Sequence, residues 1–153
     1  MASDRRPTGK KPPCARGVKG SPAVTVGRWP TAVDLDDAAF VVPETSDVAT
    51  AFPTDPLGCA GMKANARRLA PGQAVPAHTE GDQEELFVPV RGPASIRIAG
   101  ERFDTPPGTV ARVAPEVPRS AVNPAGTDAV WVMVGAPPTG GPRDWDPGAE
   151  VVE

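Results

Sequence analysis

The 153 residues predict an all-β domain, and three observations carry that prediction. Short runs rich in Val, Ile, Phe and Trp recur from Val75 onward. Each run is closed by Gly, Pro, Asn or Asp, and no segment holds a helical period beyond two turns. The 21 prolines and 16 glycines approach a low-complexity composition, but they stand between apolar runs as turn-formers do. Evenly spaced antiparallel strands of this kind close into a barrel or jelly roll, because closure removes exposed edges.

Taken in order, residues 1–21 lack any apolar period and read as a disordered basic tail. Residues 22–51 read as an N-terminal extension packing on the barrel. Within it, Ala23–Val26 and Phe40–Val42 are short strands and Asp34–Ala39 one helical turn. Thr45–Pro56 reads as loop. The barrel itself is expected over 52–137. Gly58–Leu69 is ambiguous, since Ala and Arg favour helix, but its flanking glycines and the Pro71-Gly72 turn favour a strand. Further strands are expected at 75–79, 84–90, 94–99, 101–104, 109–113, 119–122 and 128–135. Ile96 to Phe103 has the pattern of a tight hairpin, and Val130–Val134 is apolar throughout, as a strand buried on both faces would be. Residues 138–153 form a turn-rich tail, with Trp145 expected to anchor it on the barrel.

The length suits one domain with a sizeable core. No apolar run nears the roughly 18 residues of a membrane span, and no apolar segment follows the basic start as a signal peptide requires. Two cysteines, Cys14 and Cys59, make no disulfide framework, so a reducing cytoplasm is the simplest setting. Residues 1–20 carry six basic side chains against Asp4, whereas the rest holds ten basic and 18 acidic residues. An acidic body with few aromatics argues against a nucleic-acid partner; the tail reads as a solubilising leader. Cys59 reads as a small core residue and Arg67-Arg68 as a solvated strand edge.

The functional signal concentrates between Gly72 and Gly92, around the only histidine, His78. Gly72 is followed after five residues by His78-Thr79-Glu80, after four more by Glu85, and after six more by Gly92. A second series runs from Gly108 through Ala114-Pro115-Glu116 and Arg119 to Asn123. These spacings resemble the two motifs of the cupin superfamily over about residues 52–137. In the family's motifs, Glu80 and Arg119 stand where histidines are usual, and Ala114 and Glu116 replace a proline and a glycine. The resemblance implies a double-stranded antiparallel β-barrel, a cupin jelly roll. It further implies that His78, Glu80, Glu85 and Arg119 occupy the positions of the metal ligands. Small cupins are usually homodimers, so a homodimer is implied as well.

Strand alternation puts His78 and Glu80 on one face, and Gln83, Glu85 and Phe87 on one face of the next strand. Arg119 is permanently protonated and has no lone pair, so it cannot ligate a metal. That leaves His78, Glu80 and Glu85 as a three-residue set for a divalent transition ion (Fe, Mn, Zn or Ni). The metal-free reading instead pairs Glu85 with Arg119. Arg119 then binds a small anionic or oxygenated metabolite, with His78 and Glu80 as acid and base for isomerase or lyase chemistry. Trp131 and Met133 are either plain core or, with Gln83 and Phe87, lining for that ligand. A third reading has the four groups satisfy one another in an inert structural or sensor barrel.

Overall fold

The computed structural model describes residues 32–124, 126–140 and 150–151. The basic tail, the strand expected at Ala23–Val26, Cys14 and Trp145 lie outside the described residues.

Ten strands and one helical turn follow one another. They are β1 (Ala49–Ala51), α1 (Thr54–Leu57), β2 (Lys63–Leu69), β3 (His78–Thr79), β4 (Glu84–Arg91) and β5 (Ser95–Ile98). After these come β6 (Glu101–Asp104), β7 (Ala111–Val113), β8 (Arg119–Val122), β9 (Ala129–Ala136) and β10 (Glu150–Val151). They form two five-stranded antiparallel sheets in the orders β1-β2-β9-β4-β7 and β10-β3-β8-β5-β6. The inner faces of both sheets feed one core: Leu69, Phe87, Val113, Trp131 and Met133 from the first, Ile96 and Ala121 from the second. Phe87 meets Trp131 edge to face, with ring centroids 6.4 Å apart. This is the double-stranded antiparallel architecture expected from the sequence.

Local chemistry explains where the strands begin and stop. Gly92 ends β4 at φ +74°, and a Cβ there would overlap the Asp128 carbonyl, so only glycine fits. Ala99 and Gly100, both at positive φ, make the two-residue turn between β5 and β6. The strand expected over 75–79 shortens to His78–Thr79, because Pro76 has no N–H to donate; Val75 still bonds Ala121 O at 2.9 Å.

The structure departs from four other expectations. Thr45–Pro56 is not plain loop: it holds β1 and α1, and Thr54 Oγ1 bonds both the N–H and the carbonyl of Ala64. The strand over Gly58–Leu69 begins only at Lys63, because Gly58 closes α1 in the left-handed conformation. Asp34–Ala39 is a turn held by Asp36 N–H on Asp34 Oδ1, not a helical one, and Val41 alone of Phe40–Val42 bridges, to Thr50. Among the described residues, no helix is long and apolar enough to cross a membrane.

Candidate functional site

Antiparallel register brings the motif residues together from both sheets. His78 on β3 lies directly across from Arg119 on β8, and Arg119 lies across from Ile98 on β5. Glu85 is on β4 of the other sheet, across from Gly135 of β9 and Val113 of β7. Glu80 follows β3 and is pinned by its N–H to Pro115 O at 2.9 Å. That same carbonyl accepts Arg119 Nη1 at 2.9 Å, so the turn before β8 holds both groups in place.

The four side chains meet inside and are all buried. His78 Nε2 is 3.4 Å from Glu80 Oε1 and 3.8 Å from Glu85 Oε2, and Arg119 Nε is 3.2 Å from Glu85 Oε2. His78 Nδ1 lies 2.8 Å from the Pro76 carbonyl. A carbonyl can only accept, so Nδ1 carries the proton and Nε2 is the atom presented to the carboxylates. Burial pushes the imidazole pKa down, but Glu80, Glu85 and the Pro76 carbonyl outweigh it and raise the pKa to about 9. His78 is therefore an imidazolium at neutral pH.

Arg119 does two things at once. Nη1 and Nη2 bond the carbonyls of Pro115 and Ala114, at 2.9 and 3.3 Å, while Nε faces Glu85. Burial lowers its pKa, opposed by Glu85, Glu80 and Glu116, and a guanidinium so placed stays charged. Glu80 Oε2 and Glu85 Oε2 are buried and receive no hydrogen bond from the described residues.

Of the other residues singled out in the sequence, Gln83, Phe87, Trp131 and Met133 are inside, whereas Cys59 is not in the core. Phe87, Trp131 and Met133 belong to the buried core cluster. Gln83 is buried and donates Nε2 to the Pro137 carbonyl at 2.8 Å; a Cβ on Gly135 would overlap its side chain. Cys59 is half-buried and free. Ser120 donates to Val75 O at 2.6 Å.

One interior residue departs from the sequence expectation. Arg67 is not on a solvated edge: it is 8% exposed, on the inner face of β2, across from Thr50 and Trp131. Burial lowers its pKa, and the charges of Glu85 and Glu80 raise it. Arg68 alone faces outward, its guanidinium 4.2 Å from the Phe40 ring centroid. The signal was available. In Lys63-Ala64-Asn65-Ala66-Arg67-Arg68-Leu69, period-2 alternation from the apolar Leu69 turns Arg67, Asn65 and Lys63 inward. Lys63 is likewise buried.

His78, Glu80 and Glu85 each offer one donor atom, all within 4.8 Å of one another, a group that could hold a metal ion. With Nδ1 held by a backbone carbonyl, Nε2 is oriented as a ligating imidazole is. The donor set fits a divalent ion; the Arg119 guanidinium beside Glu85 opposes one.

No protein-family model matches the chain, and no curated protein does. Solved structures do match. A cupin-superfamily sugar phosphate isomerase from Silicibacter pomeroyi is 20% identical, with TM-score 0.60, covering 69% of this chain and 74% of that one. A predicted oxalate decarboxylase from Thermotoga maritima is 16% identical, with TM-score 0.61, covering 70% and 99%. A polyketide cyclase from Streptomyces resistomycificus is 14% identical, with TM-score 0.64, covering 82% and 87%. At these identities the likeness shows the fold alone, and that fold is the cupin double-stranded β-barrel.

Proposed function

We propose that the protein binds a small anionic or oxygenated metabolite at the His78–Glu80–Glu85–Arg119 end of the interior and moves a proton on it. One observation carries this reading: Arg119, 1% exposed, is a fixed cation set beside a buried acid and a buried base. Fixed donors in a water-poor site stabilise charge that develops on an oxygen far better than water-exposed ones do. Glu80, with a buried oxygen that receives no hydrogen bond from the described residues, takes a proton from the carbon next to a carbonyl. Arg119 then offsets the charge on the resulting enolate oxygen. His78, an imidazolium, returns a proton to the neighbouring atom, which is an isomerisation; loss of a leaving group instead makes it a lyase. The sugar phosphate isomerase and polyketide cyclase among the structural neighbours are compatible with this class, at the level of fold.

A second reading is favoured by the donor geometry. His78 Nε2 and one oxygen each of Glu80 and Glu85 would hold Fe, Mn, Zn or Ni, which when bound supplies Lewis-acid polarisation of a ligand oxygen. Elemental analysis of untagged protein, before and after loading with Fe²⁺, Mn²⁺, Zn²⁺ and Ni²⁺, separates the two. About one metal per chain, lost in Glu85→Ala, supports the metal reading. No metal under any loading, with anions raising the melting temperature through Arg119, supports the first. Neither metal nor anion leaves the inert or sensor barrel. Arg119→His sharpens the choice, since gain of metal would show that the guanidinium had blocked it.

We further propose a homodimer. The outer face of the first sheet exposes Leu86 and Val90 of β4, with Val110 beside them, and a second copy would cover these side chains. A cytoplasmic location is proposed from cysteine usage alone.

A further inference from the structure

Arg119 has three of its N–H groups turned to Pro115, Ala114 and Glu85, so a charged ligand calls for another cation in the interior. We propose that Arg67, with the Trp131 indole N–H, forms a second anion subsite that holds the distal carboxylate or phosphate of a ligand whose reacting end lies at His78 and Glu80. This deepens the anion-binding reading above and rests on it.

Arg67 is pre-positioned. Its Nη1 donates to Thr50 Oγ1 at 2.9 Å, and Thr50 Oγ1 donates its only hydrogen to Val48 O at 3.0 Å. The hydroxyl is thus oriented as an acceptor, and a chain of two buried hydrogen bonds sets the direction of the guanidinium. A second observation is independent of Arg67. Trp131, directly across the strand pair, is fully buried, and its Nε1–H meets no acceptor among the described residues. Buried indole N–H groups normally find one. A guanidinium and an indole N–H neighbouring on one inner face are both donors, and they suit an oxygen anion. Glu80 Oε2 is in turn an acceptor without a donor among the described residues, and it suits a ligand hydroxyl or acidic C–H. Arg67 belongs to the first sheet and Arg119 to the second, with Glu80 and Glu85 acting electrostatically on both guanidiniums. A ligand with two anionic groups can therefore be gripped from both sheets.

The test uses the full chain and four probes: acetate, succinate, glutarate and phosphoglycolate, followed by calorimetry and melting temperature. The proposal expects a dianion to bind about tenfold or more tighter than acetate, the range of one added charge-assisted hydrogen bond. Arg67→Gln should remove that advantage while leaving acetate binding in place. Trp131→Phe keeps the packed ring but loses the N–H, and should reduce the advantage several-fold, about 3- to 10-fold. If phosphoglycolate outranks the diacids the distal group is a phosphate, and in the reverse order a carboxylate; both support the subsite. Equal binding of acetate and every dianion, or a preference unchanged in both variants, would overturn it and leave the site at Arg119 standing. Binding by none of the four would remove the anion reading of the whole site, and the subsite with it.

Discussion

The inward residues of three strands change character from one end of the interior to the other. On β2 they run Lys63, Asn65, Arg67 and then Leu69; on β4, Glu85 and then Phe87 and Pro89; on β8, Arg119 and then Ala121. At the apolar end, Leu69, Val75, Ile96 and Ala121 are packed without a polar partner to satisfy, and burial of such side chains drives folding. At the other end, two carboxylates, an imidazolium and two guanidiniums are withdrawn from water. Their mutual attraction at best offsets the desolvation. One end thus holds the fold together, while the other gains little stability from its buried charges and is where the proposed ligand would bind.

Four changes break or sharpen that contrast. Ile96→Ala, at a fully buried apolar position, should cost about 2–5 kcal/mol in urea denaturation. It should leave the anion response of the folded fraction intact.

The polar end should be the pH-sensitive one. The folded pKa of His78, about 9, lies above the ordinary histidine value of 6.5, so its contribution is fully present below pH 6.5 and is lost as pH rises through 9. The loss is on the order of 3 kcal/mol. It should show as falling urea midpoints across that window, with a flat profile in His78→Asn.

Removing both partners at once, Glu85→Met with Arg119→Met, should change stability by only about 1 kcal/mol or raise it, because replacing a whole buried pair is often neutral. The same protein should lose its response to anions. A loss as large as that of Ile96→Ala would mean that the pair is a structural clamp.

Arg68→Ala is the smallest of the four. It removes the contact with Phe40 and should cost about 0.5–1 kcal/mol without touching anion binding, unlike any change at its neighbour Arg67.

Much of the site was legible because motif spacing and strand alternation constrain the same residues. Gly72 and Gly92, both at positive φ, bracket the segment, and the convergence of His78, Glu80, Glu85 and Arg119 follows the spacing of the two motifs. Less was legible where a residue type suggested one environment and register imposed another. Arg67 looks like a surface residue until Leu69 is used to phase β2. The short β1 and α1 were hidden in a polar stretch whose order comes from Thr54 bonding Ala64 and from pairing with β2, contacts that no local propensity encodes. The committed donors of Gln83 and Arg119 were equally invisible, since Pro137 and Ala114 meet them only once the chain has folded.

The chain has a single histidine, so nitrogen-15 NMR of the imidazole reports on the centre of the site without assignment. The ring should be protonated at Nδ1, titrate near 9, and respond to succinate or to a bound metal. A ring that titrates near the ordinary histidine value of 6.5, and ignores every anion and every metal, would contradict an anion or metal site at this histidine.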